Sequence, residues 1–379
     1  MKKFLSLLLA AGILCSLAAC GSNAKNRWHH TVEKNFCGLT YTDSLALSYA
    51  HEFAVDHYEG GYSLISISNG DQFLVVPEGA AVPETQIPVL QQPISDIYLV
   101  SSATMCLFDA LDALDAISLT STPAEEWTIP NARTAMEGGA IRYAGKYNEP
   151  DYELVLSSGC RLSLQSTMVY HSPEVKEKLE GLGIPVLVDY SSYETHPLGR
   201  TEWLKLYATF LGKEAQADAW FQDQVELTQS IVAEESTQKT VAFFYISSSG
   251  SHAVVRKSGD YVTRMIELAG GTYIYKNIGD SATATATTPL TLEEFYATAK
   301  DADVVIYNSS IGGQLNSLSD FLSLSPLLRD FKAVAEGNVW CTNANLYQDM
   351  TRPGTVMEEM HRIFTGTAPE KMAFLYQLK

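Results

Sequence analysis

Residues 201–235 read TEWLKLYATFLGKEAQADAWFQDQVELTQSIVAEE, and their pattern decides the architecture on either side. Trp203, Leu204, Tyr207, Phe210 and Leu211 recur at helical spacing, so 201–211 is predicted to be a helix with one broad apolar face. Gly212 ends it. Residues 214–235 predict a second helix, roughly 33 Å long at 1.5 Å per residue. Apolar strands alternate with helical patterns on both sides of this pair. Upstream, strands are expected at 94–100, 116–119, 162–164 and 184–188, with helices through Met105 to Leu114, at 152–156 and from Ser172-Pro173-Glu174 to Gly181. In that last helix serine is read as the cap, proline as the first residue and glutamate as complement to the dipole. Downstream, strands are expected at 241–246, 272–275, 304–307 and 338–341, with helices at 261–268, 292–300, 318–328 and 355–364. Alternation of this kind implies mostly parallel sheets flanked by helices. The expected fold is α/β, with two lobes joined by a single long helix: lobe 41–212, linking helix 213–236, lobe 237–379, and a ligand cleft between the lobes.

Early in the first lobe, Tyr62-Ser-Leu-Ile-Ser-Ile-Ser68 and Gln72-Phe-Leu-Val-Val76 flank Asn69-Gly70-Asp71, the strongest short signal for a β-hairpin. Pro77, Pro83, Pro88 and Pro93 then predict a stiff, extended connection.

The opening residues concern the compartment. Lys2 and Lys3 precede an apolar run, 4–17, that is shorter than the roughly 20 residues a spanning helix needs. This is the pattern of an export signal. Leu17-Ala18-Ala19-Cys20-Gly21 looks like a bacterial lipobox, in which Cys20 would be acylated and become the first residue; an ordinary secretory signal cut near Ala19 is the alternative. Residues 1–19 are thus read as signal and 20–40 as a polar tether, with His29-His30 solvent-exposed and inert. Acylation would place the protein on the extracytoplasmic face of a membrane.

The formal charge of −18 disfavours nucleic acid as a partner and suits docking onto a basic one. Cys37, Cys106, Cys160 and Cys341 show no zinc or redox spacing and are expected to be buried thiols; export permits one bridge among them, which the spacing leaves unassigned.

Several stretches together resemble one family. They are Tyr147-Asn-Glu-Pro-Asp-Tyr-Glu-Leu154, Ser166-Thr-Met-Val-Tyr-His-Ser-Pro-Glu174, Gly183-Ile-Pro-Val-Leu187, His196-Pro-Leu-Gly-Arg-Thr-Glu-Trp203, Lys257-Ser-Gly-Asp-Tyr261 and Gly337-Asn-Val-Trp340. In order and spacing the chain resembles the helical-backbone class of substrate-binding proteins that serve ABC importers of iron-siderophores, haem or cobalamin. The resemblance implies a monomer that delivers a metal chelate to a permease dimer and its ATPase, with no intrinsic cofactor and no enzymatic activity. Ferric siderophore is the first expectation, cobalamin the second and haem the third. It also implies a glutamate on each lobe that docks permease arginines. Glu153, with Glu149 as alternate, matches in the first lobe; Glu293, with Glu294 as alternate, matches in the second.

Ligand contacts are expected where strands end at the cleft. The candidates are the Ser101–Thr104 turn, Trp127, Met168, Tyr170, His171, Tyr193 and Arg200 in the first lobe. Tyr245, Arg256, Lys257, Tyr307, Gln348 and Arg352 are those of the second. Arginine would hold carboxylate or catecholate oxygens and aromatic rings would stack on a flat chelate. Met168, Tyr170 and His171 are residue types that ligate haem iron. No metalloprotease, nucleophile-elbow or phosphate-loop motif is present, and Ser247-Ser-Ser-Gly-Ser251 with His252 reads as loop. A ligand-sensing lipoprotein of the same fold, or a cell-surface hydrolase, are the alternative functions.

Overall fold

A computed structural model describes residues 28–232, 236–279 and 286–379. Cys20, the signal segment, much of the expected tether and the expected end of the linking helix at Glu235 lie outside the described residues. From Val32 to Lys379 the chain is one unit, built on three main sheets.

The first sheet runs in sequence order through β1 (Asn35–Phe36), β2 (Leu39–Ser44), β3 (Phe53–Tyr58), β4 (Tyr62–Ile67), β5 (Gln72–Val76) and β6 (Val89–Gln91). The β4–β5 hairpin has the expected register, Ser63 opposite Val75 and Ser66 opposite Gln72, closed by Gly70 at φ +95°. The rest of the sheet was not evident in sequence. Strand β1 lies inside the segment read as tether, and β6 corrects the expectation of a plain extended link, because Val89–Gln91 returns parallel to β5.

The second sheet is wholly parallel and carries β7 (Ile97–Leu99), β8 (Ile117–Thr120) and β9 (Arg142–Tyr143); after a small hairpin of β10 (Gly145–Lys146) and β11 (Glu149–Pro150) it gains β12 (Leu162–Ser166) and β13 (Val186–Asp189). Its helices are α1 (Met105–Ala110), α2 (Pro130–Glu137), α3 (Tyr152–Ser157), α4 (Pro173–Gly181) and α5 (Pro197–Leu211). Ser172 does not cap α4 as expected: its backbone sits at φ −143°, ψ 65°, and its side chain makes no cap bond.

The third sheet is mixed. Strands β14 (Thr240–Ile246), β15 (His252–Arg256), β16 (Thr272–Tyr273), β17 (Thr287–Thr291), β18 (Val304–Tyr307), β19 (Val339–Thr342) and β20 (Leu375–Gln377) pair in the order β17-β15-β14-β18-β19-β20, with β16 also on β14. β14, β18 and β19 form the parallel centre; β15, β17 and β20 run antiparallel. Connecting helices are α6 (Glu214–Val232), α7 (Tyr261–Leu268), α8 (Leu292–Ala299), α9 (Ser309–Gly312), α10 (Leu318–Ser323), α11 (Lys332–Ala335) and α12 (Pro353–Thr365).

Helix α5 organises the first lobe. It starts four residues before the expected Thr201, because Pro197 at the first position and the His196 side chain, which accepts from Leu198 N–H at 3.2 Å, supply a start signal. Gly212, at φ +68°, ends it. Almost every residue between is buried, Trp203 completely, and burying a side chain of that size contributes roughly 1.5–3 kcal/mol. Segment 48–52 of the first sheet's connection lies on this helix so closely that a Cβ at Gly199 would meet Tyr49 O at 2.9 Å. Two carboxylates hold that segment. Glu202 accepts from the amides of Ser48, Tyr49 and Ala50, and Glu194 from those of His51 and Glu52 and from the Trp203 indole. Glu359 on α12 does the same for Ala373, Phe374 and Leu375 in the second lobe.

This corner titrates in two opposed directions. Burial pushes the Glu194 carboxyl up to about 7, against its N–H donors. Burial, helped by the Arg264 and His51 charges, pushes His196 down to about 4. The folded state holds more protons than the unfolded one at Glu194, so that contribution is full below about 4.5 and fades as pH rises through about 7. At His196 the unfolded state holds more, so stability is full above about 6.5 and fades as pH falls toward about 4. His196→Asn keeps a cap acceptor and removes the ring; the melting temperature of the variant should then fall less than wild type between pH 6.5 and 4 in a pH series. Parallel curves would show that His196 is not the titrating group.

Candidate functional site

Helix α6 carries the chain from one lobe to the other. It buries Ala217, Phe221, Val225, Thr228 and Ile231, a stripe at three- and four-residue spacing that packs on α5 and α12. The lobes are further fastened across their boundary. Met350, from the second lobe, is buried in the first lobe's core; its carbonyl accepts from Thr201 Oγ1 at 2.7 Å and its amide faces Cys106 Sγ at 3.3 Å. Arg200 lies over the Tyr261 ring at 3.9 Å.

The C-terminal ends of the parallel strands β7, β8, β12 and β13 carry one set of loops and those of β14, β18 and β19 another, which is where parallel sheets place ligand sites. On the first-lobe side, the 3₁₀ turn Thr167–His171 follows β12 and Tyr190–Tyr193 follows β13. Met168, Tyr170 and Tyr193 are 46, 45 and 47% exposed, unusual for such side chains. Tyr190, which the sequence reading passed over, sits between the two tyrosines, with ring centroids 6.3 Å from Tyr170 and 5.4 Å from Tyr193. His171 is exposed at the end of the same turn. Ser101 and Thr104 turn inward instead, Thr104 donating to Ser101 O at 2.7 Å.

On the second-lobe side Arg256 is buried rather than presented. It pairs with Asp260 at 3.3 Å and donates to the Tyr347 hydroxyl, which also accepts from Asn308 Nδ2 at 2.8 Å. Asn308 Oδ1 is buried without a hydrogen-bond partner. Nothing in the local pattern of Asn308 and Tyr347 marks them; the tertiary fold brings them together, Asn308 buried and Tyr347 half-buried. Lys257 and Tyr245 are half-buried beside this network.

Four other expected contacts are committed to partners within the protein. Trp127 and Tyr307 are fully buried in the lobe cores, bonded to Thr122 O and Gly312 O, and present no surface to the cleft. Gln348 is spent as a clasp between the lobes: its Oε1 accepts from the amide and hydroxyl of Thr128, and its Nε2 donates to Glu126 O at 2.8 Å. Arg352 is tied to Asp349 over the Phe374 ring. It lines a separate cavity of about 190 Å3 with Cys106, Asp109 and Trp220. Cys37, Cys106, Cys160 and Cys341 are free thiols; Cys106 and Cys341 are buried as expected, whereas Cys160 is half-buried and Cys37 exposed.

Glu153 is exposed in the first turn of α3, Glu149 is exposed in β11 just before it, and Glu293 is exposed in the first turn of α8. Glu294 is engaged in a capping box with Thr291, which leaves Glu293 as the uncommitted carboxylate of the pair. Among the described residues no cluster of His, Cys, Asp and Glu is disposed to hold a metal ion, and no helix is long and apolar enough to cross a membrane.

Two α/β lobes joined through helix α6 are the architecture of a two-lobed binding protein. Residues 100–346 match the periplasmic binding protein family, and the chain belongs to it. Two uncharacterized lipoproteins of Methanocaldococcus jannaschii are 26% and 25% identical, over 92% and 91% of this chain and 89% and 90% of theirs. Among solved structures, the periplasmic haem-binding protein HutB of Vibrio cholerae shares the fold with a TM-score of 0.57 and 18% identity, covering 72% of this chain and 99% of its own. A periplasmic haem-binding protein of Pseudomonas aeruginosa does so at 0.59 and 16%, covering 76% and 99%. The vitamin B12-binding protein BtuF of Vibrio cholerae does so at 0.51 and 14%, covering 72% and 98%.

Proposed function

We propose that the chain is the lipid-anchored, extracytoplasmic solute-binding component of an ABC importer, and that it captures a metal chelate in the inter-lobe cleft. The observation that carries this reading is the half-exposed row of Met168, Tyr170 and Tyr193 at the strand ends. Exposed rings without a core role are suited to stack on a flat or aromatic ligand and to give hydrogen bonds at its edge. Proteins of the same fold are described as binding haem and vitamin B12 or as part of a ferric hydroxamate transport system, which supports a chelate as cargo. Ferric siderophore remains the first expectation, then cobalamin, then haem. His171, Lys257 and Tyr245 stand at the margins of the same cleft, and Arg200 and Arg256 act from beneath it by fixing Tyr261 and Tyr347. The anchor would be acyl chains on Cys20, in keeping with the relatives described as lipoproteins.

Titration calorimetry of the soluble domain against a ferric hydroxamate, a ferric catecholate, cobalamin and haemin tests the reading. One of them should bind with a dissociation constant at or below about 1 µM, roughly −8 kcal/mol. Tyr170→Ala together with Tyr193→Ala should weaken it about 10-fold or more, since each ring is expected to contribute on the order of 1 kcal/mol. Binding unchanged in that double variant would remove the cleft assignment. A Soret band left unperturbed by the protein would remove axial ligation of haem by Met168, Tyr170 or His171.

A further inference from the structure

The tip of the β4–β5 hairpin reaches the tyrosine row from outside the matched family region, which begins at residue 100. Asn69 Nδ2 lies 3.1 Å from Tyr170 Oη, and Tyr190 Oη donates to the same oxygen at 2.9 Å. The orientation of the Asn69 amide is set by its own turn: Oδ1 accepts from Asp71 N at 2.9 Å and Nδ2 also donates to Asp71 Oδ2 at 2.8 Å. Lys176 lies 3.9 Å from that aspartate. A phenol oxygen carries one proton and limited acceptor capacity. With two donors aimed at it, the Tyr170 oxygen is filled as an acceptor and its proton points away from both, toward the open side where Tyr170 is 45% exposed.

We propose that Asn69 is a specificity-determining residue of the ligand site, acting through Tyr170 to present an O–H donor to an anionic oxygen on the ligand. The oxygen would belong to a hydroxamate, catecholate or carboxylate. This rests on the reading of the cleft as the ligand site. It makes the added N-terminal sheet part of recognition, and not only a cover for α5. The Tyr190 proton is held in place by burial and by its bond to Tyr170, as a donor at that position requires.

Asn69→Asp keeps the Oδ1 acceptor for Asp71 N and replaces the donor facing Tyr170 by an acceptor, which draws the phenol proton inward. Titration with a ferric hydroxamate, a ferric catecholate, haemin and cobalamin is expected to show roughly 5–20-fold weaker binding of the oxygen-anion chelate that wild type prefers. Tyr170→Phe should lose about as much, and the double variant no more than either. Effects that multiply in the double variant would overturn the proposal. A second arm needs no ligand: in a crystal structure of Asn69→Asp, the new carboxylate should lie within hydrogen-bond distance of Tyr170 Oη, which can donate to it only by turning its proton inward. A carboxylate that turns away from Tyr170 also overturns the proposal. Should wild type bind none of the four chelates, the cleft reading fails, and that structure still decides whether residue 69 controls Tyr170.

Discussion

Glu202→Ala should destabilise the folded unit by about 3–5 kcal/mol while leaving the cleft residues in place. Glu202 is fully buried on α5 and takes the amides of Ser48, Tyr49 and Ala50 at 2.8–3.1 Å. Removing the carboxylate strands three amides where water reaches poorly, and each buried donor left unpaired costs on the order of 1–3 kcal/mol, less whatever a water entering the gap restores. Lys205 at 3.9 Å also loses part of its partner charge, retaining Asp218 at 3.1 Å. Glu202→Gln keeps one acceptor oxygen and should cost less than half as much. Thermal melts give the size of the effect, and hydrogen exchange gives its place: faster exchange should begin at residues 48–52 and spread to the first sheet. A melt within about 0.5 kcal/mol of wild type would mean that the carboxylate is not what binds this segment to α5.

Reversing Glu153 and Glu293 together to arginine should reduce transport at least 10-fold and leave the chelate affinity of the isolated protein unchanged. Both side chains are exposed in the first turns of α3 and α8, on different lobes, so neither substitution removes a packed group. The resemblance that suggested these residues implies arginines on the permease, and like charges brought together at a docking surface oppose association strongly even where the native pairs are individually weak. Single reversals should be intermediate. Glu294→Arg is the internal control: it breaks the Thr291 capping box, costs on the order of 1 kcal/mol of stability, and should spare transport. Uptake of labelled chelate by cells or proteoliposomes, measured beside calorimetry on the same variants, separates docking from binding. Undiminished uptake in the double reversal would withdraw both residues from the docking role.

The broad architecture was legible because it depends on period and punctuation. The α5 face, the break at Gly212, the start of α6 at Glu214 and the βα alternation are one-dimensional patterns, and the structure realises them within a few residues. The Asn69-Gly70 hairpin was legible for the same reason. The antiparallel strands β15, β17 and β20 and the short β6 were not, because an antiparallel or edge strand of three to five residues has no local signature apart from the neighbours it pairs with.

For the proposed site, residue type and position after a parallel strand sufficed to single out Met168, Tyr170 and Tyr193, which the structure leaves half-exposed. They could not tell a cleft tyrosine from a core one. Tyr307 and Trp127 have the same chemistry and similar placement in sequence, and only packing seals them away. Gln348 and Arg200 were read as ligand contacts, yet partners 220 residues distant for the first, and the Tyr261 ring for the second, commit them to holding the lobes together. Sequence by itself determined the two lobes, the helical join and the chemical types available at the strand ends, because backbone periodicity and capping act over a few residues. Tertiary structure alone decided which of those side chains stay exposed, because exposure and hydrogen-bond partnership are set by residues far away along the chain.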